Sequence, residues 1–225
     1  MSLSDADAIG DGRDDVIEPL TDVRFPVEIT ERSTVFDGKV WDVVSETFDY
    51  NGESITREMV DHTGAVAVMA MDENERILLI RQYRHPIRAR DWELPAGLLD
   101  ETGESPLDAA RRELAEEVDL AAAEWSVLAE YWTSPGGSNE TLRIYLARQL
   151  TELAAFERTA EEADIEKRWV SLDDALAAVQ ARHLQNPSTT VGVLSAIAAR
   201  AGGWSSLAPA DTPWDRHPVL GDGTW

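Results

Sequence analysis

The chain has no cysteine among its 225 residues. That absence removes disulfides, thiolate metal sites and thiol nucleophiles from consideration. Nor does it have an apolar run near the roughly 20 residues that a membrane-crossing helix needs, so no membrane partner is expected. Basic residues are scarce: 20 Lys and Arg stand against 43 Asp and Glu, a formal net charge of −23. A surface of that sign repels phosphate backbones, which argues against nucleic acid as a partner. The opening residues, MSLSDADAIGDGRDD, hold neither a basic stretch nor an apolar core. They do not read as a secretory signal, and the cytoplasm is the expected compartment. An acidic enzyme acting on an anionic substrate must then supply positive charge locally, from metal ions or a few placed Arg and Lys.

The length suits one globular domain with appendages. Residues 1–20 are acidic and read as a mobile tail, residues 21–62 as an N-terminal strand subdomain, residues 63–201 as a catalytic domain, and residues 202–225 as a Trp-rich extension. Partial alternation over residues 40–48, the Asn51-Gly52 turn signal and a return over residues 54–60 predict a hairpin. Short apolar runs at 64–71 and 76–83 predict two further strands, followed by a loop over 84–104. Strands are expected at 125–132, 141–148 and 167–170. Helices are expected from the Ser105 cap to Val118, from Ser171 to about Ala181, and from Pro187 to about Arg200. Strands, helix, strands, helix describes an α/β or α+β sandwich with helices on both faces of a mixed sheet.

The chemistry is concentrated in GLLDETGESPLDAARRELAEEVDL, residues 97–120. On a helix, Glu113, Glu116 and Glu117 share one face, three and four residues apart. Carboxylates this close raise one another's pKa and destabilise a lone helix. A hard divalent cation such as Mg²⁺ relieves that repulsion. Charge runs alone more often mark a solvated acidic face, with Arg111 and Arg112 as partners. Here Leu107, Ala110, Leu114 and Val118 form a separate core-facing stripe, so the glutamates project from a second face beside a Gly/Pro loop.

The segment resembles the Nudix box. Glu104, seven residues, then Arg112-Glu113-Leu114-Ala115-Glu116-Glu117-Val118-Asp119-Leu120 fit that frame. Gly97 stands one residue farther from Glu104 than the box has it, and Asp119 replaces the usual Gly. The resemblance implies a Nudix α/β/α sandwich that hydrolyses a nucleoside diphosphate linked to another group, with a metal-activated water as nucleophile. It implies Mg²⁺, with Mn²⁺ able to substitute, held by Glu113, Glu116, Glu117 and the backbone carbonyl of Ala96. It casts Gly97, Glu104 and Arg112 as structural members of the motif. Pro135, fifteen residues after Leu120, and the WELPAG approach at 92–97 resemble the ADP-ribose pyrophosphatase branch. In that branch the base is similar to a Glu on a late loop, here Glu162 or Glu161, with Asp164 as an accessory ligand. Arg57, Arg84 and Arg143 are candidates for phosphate contacts and Trp41 for stacking on the nucleobase. The branch further implies a homodimer through the N-terminal strands and a nucleotide-sugar substrate, ADP-ribose first. Hydrolysis of GDP-mannose or NADH, or a nucleotide-sugar sensor without catalysis, remain the alternatives.

Overall fold

A computed structural model describes residues 20–155 and 164–221. The acidic tail expected over residues 1–20 therefore lies outside the described residues except for Leu20, as do Glu157, Glu161, Glu162 and Trp225.

Eleven strands and three α-helices are found among the described residues. β1 (Ile29–Phe36), β2 (Asp42–Tyr50) and β3 (Glu53–Asp61) form an antiparallel sheet of their own. Asn51 and Gly52 both adopt positive φ, as the tight turn between β2 and β3 requires. Strand β1 was not expected. All of its residues are exposed, so ITERSTVF shows no buried face to betray it, and pairing with β2 alone defines it.

β4 (Ala65–Ala70), β5 (Arg76–Arg84), β6 (Ala89–Glu93), β7 (Ala96–Leu98), β8 (Leu120–Trp132), β9 (Thr141–Glu152), β10 (Glu166–Ser171) and β11 (Ala208–Pro209) build two more sheets. One has the order β10-β5-β6 and the other β11-β8-β9-β4-β7. The larger sheet is mixed, because β4 runs parallel to β9 and antiparallel to β7. Helix α1 (Pro106–Val118) lies on one side, and α2 (Leu172–Gln180) and α3 (Pro187–Ala201) on the other.

The strand period of two divides the core between these layers. Ala65, Ala67 and Met69 of β4 join Ile144, Leu172 and Val193 in one cluster. Val66, Val68 and Ala70 join Ala110, Leu114 and Val118 in the other. β4 is buried on both faces, which is why GAVAVMAM reads as a continuous apolar run. Burying Leu114 and Val118 stabilises α1 by about 1.5–3 kcal/mol each.

The loop expected over residues 84–104 proves to hold two strands. Pro95 and Gly97 look like breaks in the sequence, yet the chain only changes sheet there. β6 pairs with β5 in the smaller sheet, and two residues later β7 pairs with β4 in the larger one. That crossing brings the end of β5, the end of β6 and β7 up to the same helix.

Candidate active site

Helix α1 is positioned by its ends. Ser105 caps it in extended geometry, its Oγ accepting from Asp108 N at 3.1 Å while Pro106 fills the first turn. At the other end Asp119 sits in left-handed geometry, φ 61°, where the box carries Gly. Lys167 Nζ donates to Asp119 Oδ2 at 2.5 Å and ties that cap to β10.

Between the caps, Glu113 and Glu117 face β7, and Glu116 lies beside them on the Arg112 side. Glu117 is 4% exposed, and its Oε2 accepts from Ala96 N at 2.9 Å. Burial, with the fields of Glu113 and Glu93 behind it, pushes the Glu117 carboxyl up to about 8. Glu113 packs so closely on β7 that a Cβ at Gly97 would lie 1.9 Å from its Oε1. Glycine is needed there for close approach, not for an unusual φ. Arg112 holds the group together from the side. It donates to Glu104 through Nε and Nη2, both at 3.0 Å, and through Nη1 to Glu113 at 2.5 Å and Glu116 at 3.3 Å. The Glu104 hydrogen bonds are the main reason its pKa is raised.

The sheet crossing adds further charges. Arg84, at the end of β5, donates to both carboxylate oxygens of Glu93, with Nη2 at 2.9 Å. Glu93 is 4% exposed, and its burial pushes its pKa up against the pull of Arg84. Asn186 Nδ2 donates to Asp91 at 3.2 Å and Glu93 at 3.4 Å, while its Oδ1 caps α3. Arg84 acts on Glu117 through space, so carboxylates from α1 and β6 share one guanidinium.

Among the described residues, no three carboxylate or imidazole groups already converge at metal-binding distance. The donor set nevertheless fits a hard divalent cation. It consists of oxygens only, it is crowded, and its most buried member is held above the normal carboxylate range by burial first and by the neighbouring carboxylates Glu113 and Glu93 after it.

A cavity of about 820 Å³ lies elsewhere and contains none of these glutamates. Its walls are Phe48 and Arg57 of the N-terminal sheet, residues 135–139 after β8, and the C-terminal segment 215–218. Trp132 and Arg216 line both this cavity and a neighbouring one of about 300 Å³ that also holds Thr141 and Trp214.

The NUDIX domain model matches residues 61–188, more than half of the chain. The chain belongs to the NUDIX family. An ADP-ribose pyrophosphatase of Mycobacterium tuberculosis is 45% identical over 168 residues, 75% of this chain and 81% of that protein. One from Bacillus subtilis is 35% identical over 163 residues, 72% of this chain and 88% of that protein. The solved structure of an ADP compounds hydrolase superposes with a TM-score of 0.67 at 21% identity, covering 81% of this chain and 98% of that one, which speaks to the fold. NUDIX hydrolases generally use divalent metal ions, in keeping with the oxygen-rich face of α1.

Within this NUDIX chain the expected site residues fall into separate places. Ala96, Gly97, Glu104, Arg112, Glu113, Glu116 and Glu117 lie together, and Arg84 joins them. Arg57 lines the larger cavity. Trp41 is 46% exposed, stacks on His62 with centroids 5.5 Å apart, and is not among the residues lining that cavity. Arg143 needs correction as a phosphate contact. It is 2% exposed, pairs with Glu130 at 2.5 Å, and donates to the carbonyls of Thr212 and Pro213 at 2.9 and 3.1 Å. Its guanidinium is enclosed by the C-terminal segment, which the local sequence around Arg143 does not announce. Glu93 and Asn186 were passed over. The first was hidden in a stretch read as loop, the second beside a proline read only as a helix boundary.

Proposed function

We propose that the chain hydrolyses the diphosphate bond of ADP-ribose to AMP and ribose 5-phosphate, using Mg²⁺, with Mn²⁺ able to replace it. The observation that carries this reading is the set Glu113, Glu116 and Glu117, presented against Ala96 and Gly97 and braced by the Arg112–Glu104 pair. The names of the two bacterial relatives support ADP-ribose as the substrate. A divalent cation bound by the three glutamates and the Ala96 carbonyl supplies charge neutralisation at phosphate oxygens and a lower pKa for the attacking water.

The protein's own residues do the rest. Gly97 leaves room for Glu113, and Glu104 keeps Arg112 from swinging away from the glutamates. Arg84 offsets carboxylate repulsion at Glu117 and sits where an anionic substrate needs a cation. Water oxygen bonds to phosphorus as the bond from phosphorus to its bridging oxygen breaks, and a base takes the water's proton. In this reading that base is Glu162 or Glu161, both outside the described residues, with Asp164 nearby in the chain. The enzyme works in the cytoplasm as a homodimer joined through β1–β3, where exposed Val35, Phe36 and Tyr50, with Trp41 of the β1–β2 connection, offer apolar surface.

The test is a hydrolysis panel of ADP-ribose, GDP-mannose, NADH and a dinucleoside polyphosphate with Mg²⁺. AMP and ribose 5-phosphate from ADP-ribose are expected. Preferential turnover of GDP-mannose or NADH would move the substrate assignment. No turnover of any member, with nucleotide still bound, would favour a sensor.

A further inference from the structure

Strands β5 and β6 put two carboxylates and one guanidinium on the same face. The strand period of two places Asp91 with Glu93 on β6 and Gln82 with Arg84 on β5, and Gln82 lies opposite Asp91. Gln82 and Glu93 are each 4% exposed. Burial and then the field of Asp91 push the Glu93 pKa up, while hydrogen bonds from Arg84 and Gln82 hold it down. Asp91 also acts on the Arg84 charge through space. Two carboxylates therefore compete for one cation. The guanidinium fork goes to Glu93, where Nε and Nη2 both donate. Among the described residues, Asp91 Oδ1 is buried without a hydrogen-bond partner, and Oδ2 accepts from Asn186 at 3.2 Å.

Asn186 comes from a different layer. It precedes α3, whose Val193 and Ala196 are fully buried, and Thr189 Oγ1 donates to Trp92 O at 3.2 Å, which ties the start of the helix to β6. The amide can face only one way. Its Oδ1 accepts from Thr189 N at 3.1 Å, so its NH2 group meets the carboxylates, reaching Asp91 at 3.2 Å and Glu93 at 3.4 Å. A flipped amide would set oxygen against two carboxylates and NH2 against an N–H. One side chain thus supplies donors to both competitors. Arg84 keeps Nη1 unspent among the described residues, on a side chain 42% exposed.

We propose that Asn186 is a positioning residue for substrate binding: by holding Asp91 and Glu93 with one amide, it keeps the Arg84 guanidinium on Glu93 with Nη1 available to an anionic oxygen of the substrate. This rests on the nucleoside diphosphate reading above and extends the site to the start of α3.

The test uses the full chain. Ser and Asp cap a helix about as well as Asn, so Asn186→Ser and Asn186→Asp keep the start of α3 and lose the donors. With Mg²⁺ and ADP-ribose, Asn186→Ser should raise KM about threefold to tenfold with kcat nearly unchanged. Asn186→Asp adds a third carboxylate and should raise KM further. Both effects should vanish in an Arg84→Lys background, because lysine cannot form the fork. A second measurement needs no turnover. In ¹⁵N NMR spectra of the metal-free chain, the Arg84 Nε–H signal, identified by its loss in Arg84→Lys, should exchange slowly with water in wild type and severalfold faster in both Asn186 variants. The proposal is overturned by wild-type Arg84 exchange in both variants, by the lack of a slowly exchanging Arg84 signal in wild type, or by a KM loss of the same size in the Arg84→Lys background. ADP-ribose turnover with the wild-type KM in both variants also overturns it and leaves the hydrolase reading standing. Arg84 exchange that depends on Asn186, without hydrolysis of any nucleoside diphosphate, supports the brace and overturns the hydrolase reading.

Discussion

The glutamate face of α1 and the cavity under the C-terminal segment are assembled in opposite ways. The first comes largely from one stretch of chain: Glu104, Arg112, Glu113, Glu116 and Glu117 fall within a loop and the helix it feeds. The second is drawn from the N-terminal sheet, the loop after β8 and the last described residues, and its anchors span long separations. His217 reaches Thr63 across 154 residues, and Arg143 reaches Thr212 across 69. The comparison teaches that a carboxylate cluster can be encoded by short spacing, whereas the walls of a cavity depend on the completed tertiary structure.

The difference can be broken hardest at the helix. Glu117→Gln should lower turnover by about a hundredfold or more with the fold retained, read as AMP released per folded site. Wild-type turnover in that variant would remove the glutamate face from the chemistry. Gly97→Ala forces Glu113 off β7 and should cost roughly tenfold to a hundredfold in kcat/KM. An unchanged rate would mean that Glu113 need not sit where it does.

Effects at the tail should fall on stability. Arg143→Met leaves Glu130 and two carbonyls without their donor, and should cost about 3 kcal/mol, or roughly 10 °C in Tm. Turnover per folded molecule at low temperature should survive, and its collapse there would tie the two regions together. The smallest expected effect concerns pH. Burial, ahead of the field of Arg143, holds the pKa of His217 below its ordinary 6.5. The neutral ring therefore contributes stability above pH 6.5, and this is lost as pH falls through the depressed folded value. Wild-type Tm should drop more than that of His217→Asn between pH 7.5 and 5.5. Parallel curves would show that the ring's charge is immaterial to the latch.

The same contrast explains what the sequence reveals and what it hides. The Ser105 cap, the core stripe through Leu114 and the glutamate spacing are local, and the helix forms where they indicate. The Asn51-Gly52 turn is equally legible. β1 is hidden because none of its residues is buried. β6 and β7 are hidden because a proline at a sheet crossing looks like a proline in a loop. Arg143 looks like a strand residue free to meet phosphate, and only the return of the tail over it shows that its donors are taken. β8 is legible over residues 125–132, and only its start is hidden, by small residues, Ala121 to Ala123, that carry no periodic signal.

One consequence of the sheet order concerns which parts of the molecule can open independently. β4 lies inside its sheet with both faces covered, so its amides should exchange with solvent only when the whole domain unfolds. β7 is a three-residue edge strand hung on β4, and it carries the backbone that Glu113 and Glu117 touch. A strand expected to exchange slowly is thus paired with a short edge strand expected to open more readily. Substrate and metal, by bridging β7 to α1, would slow exchange at Ala96 and Gly97 while leaving that of β4 unchanged.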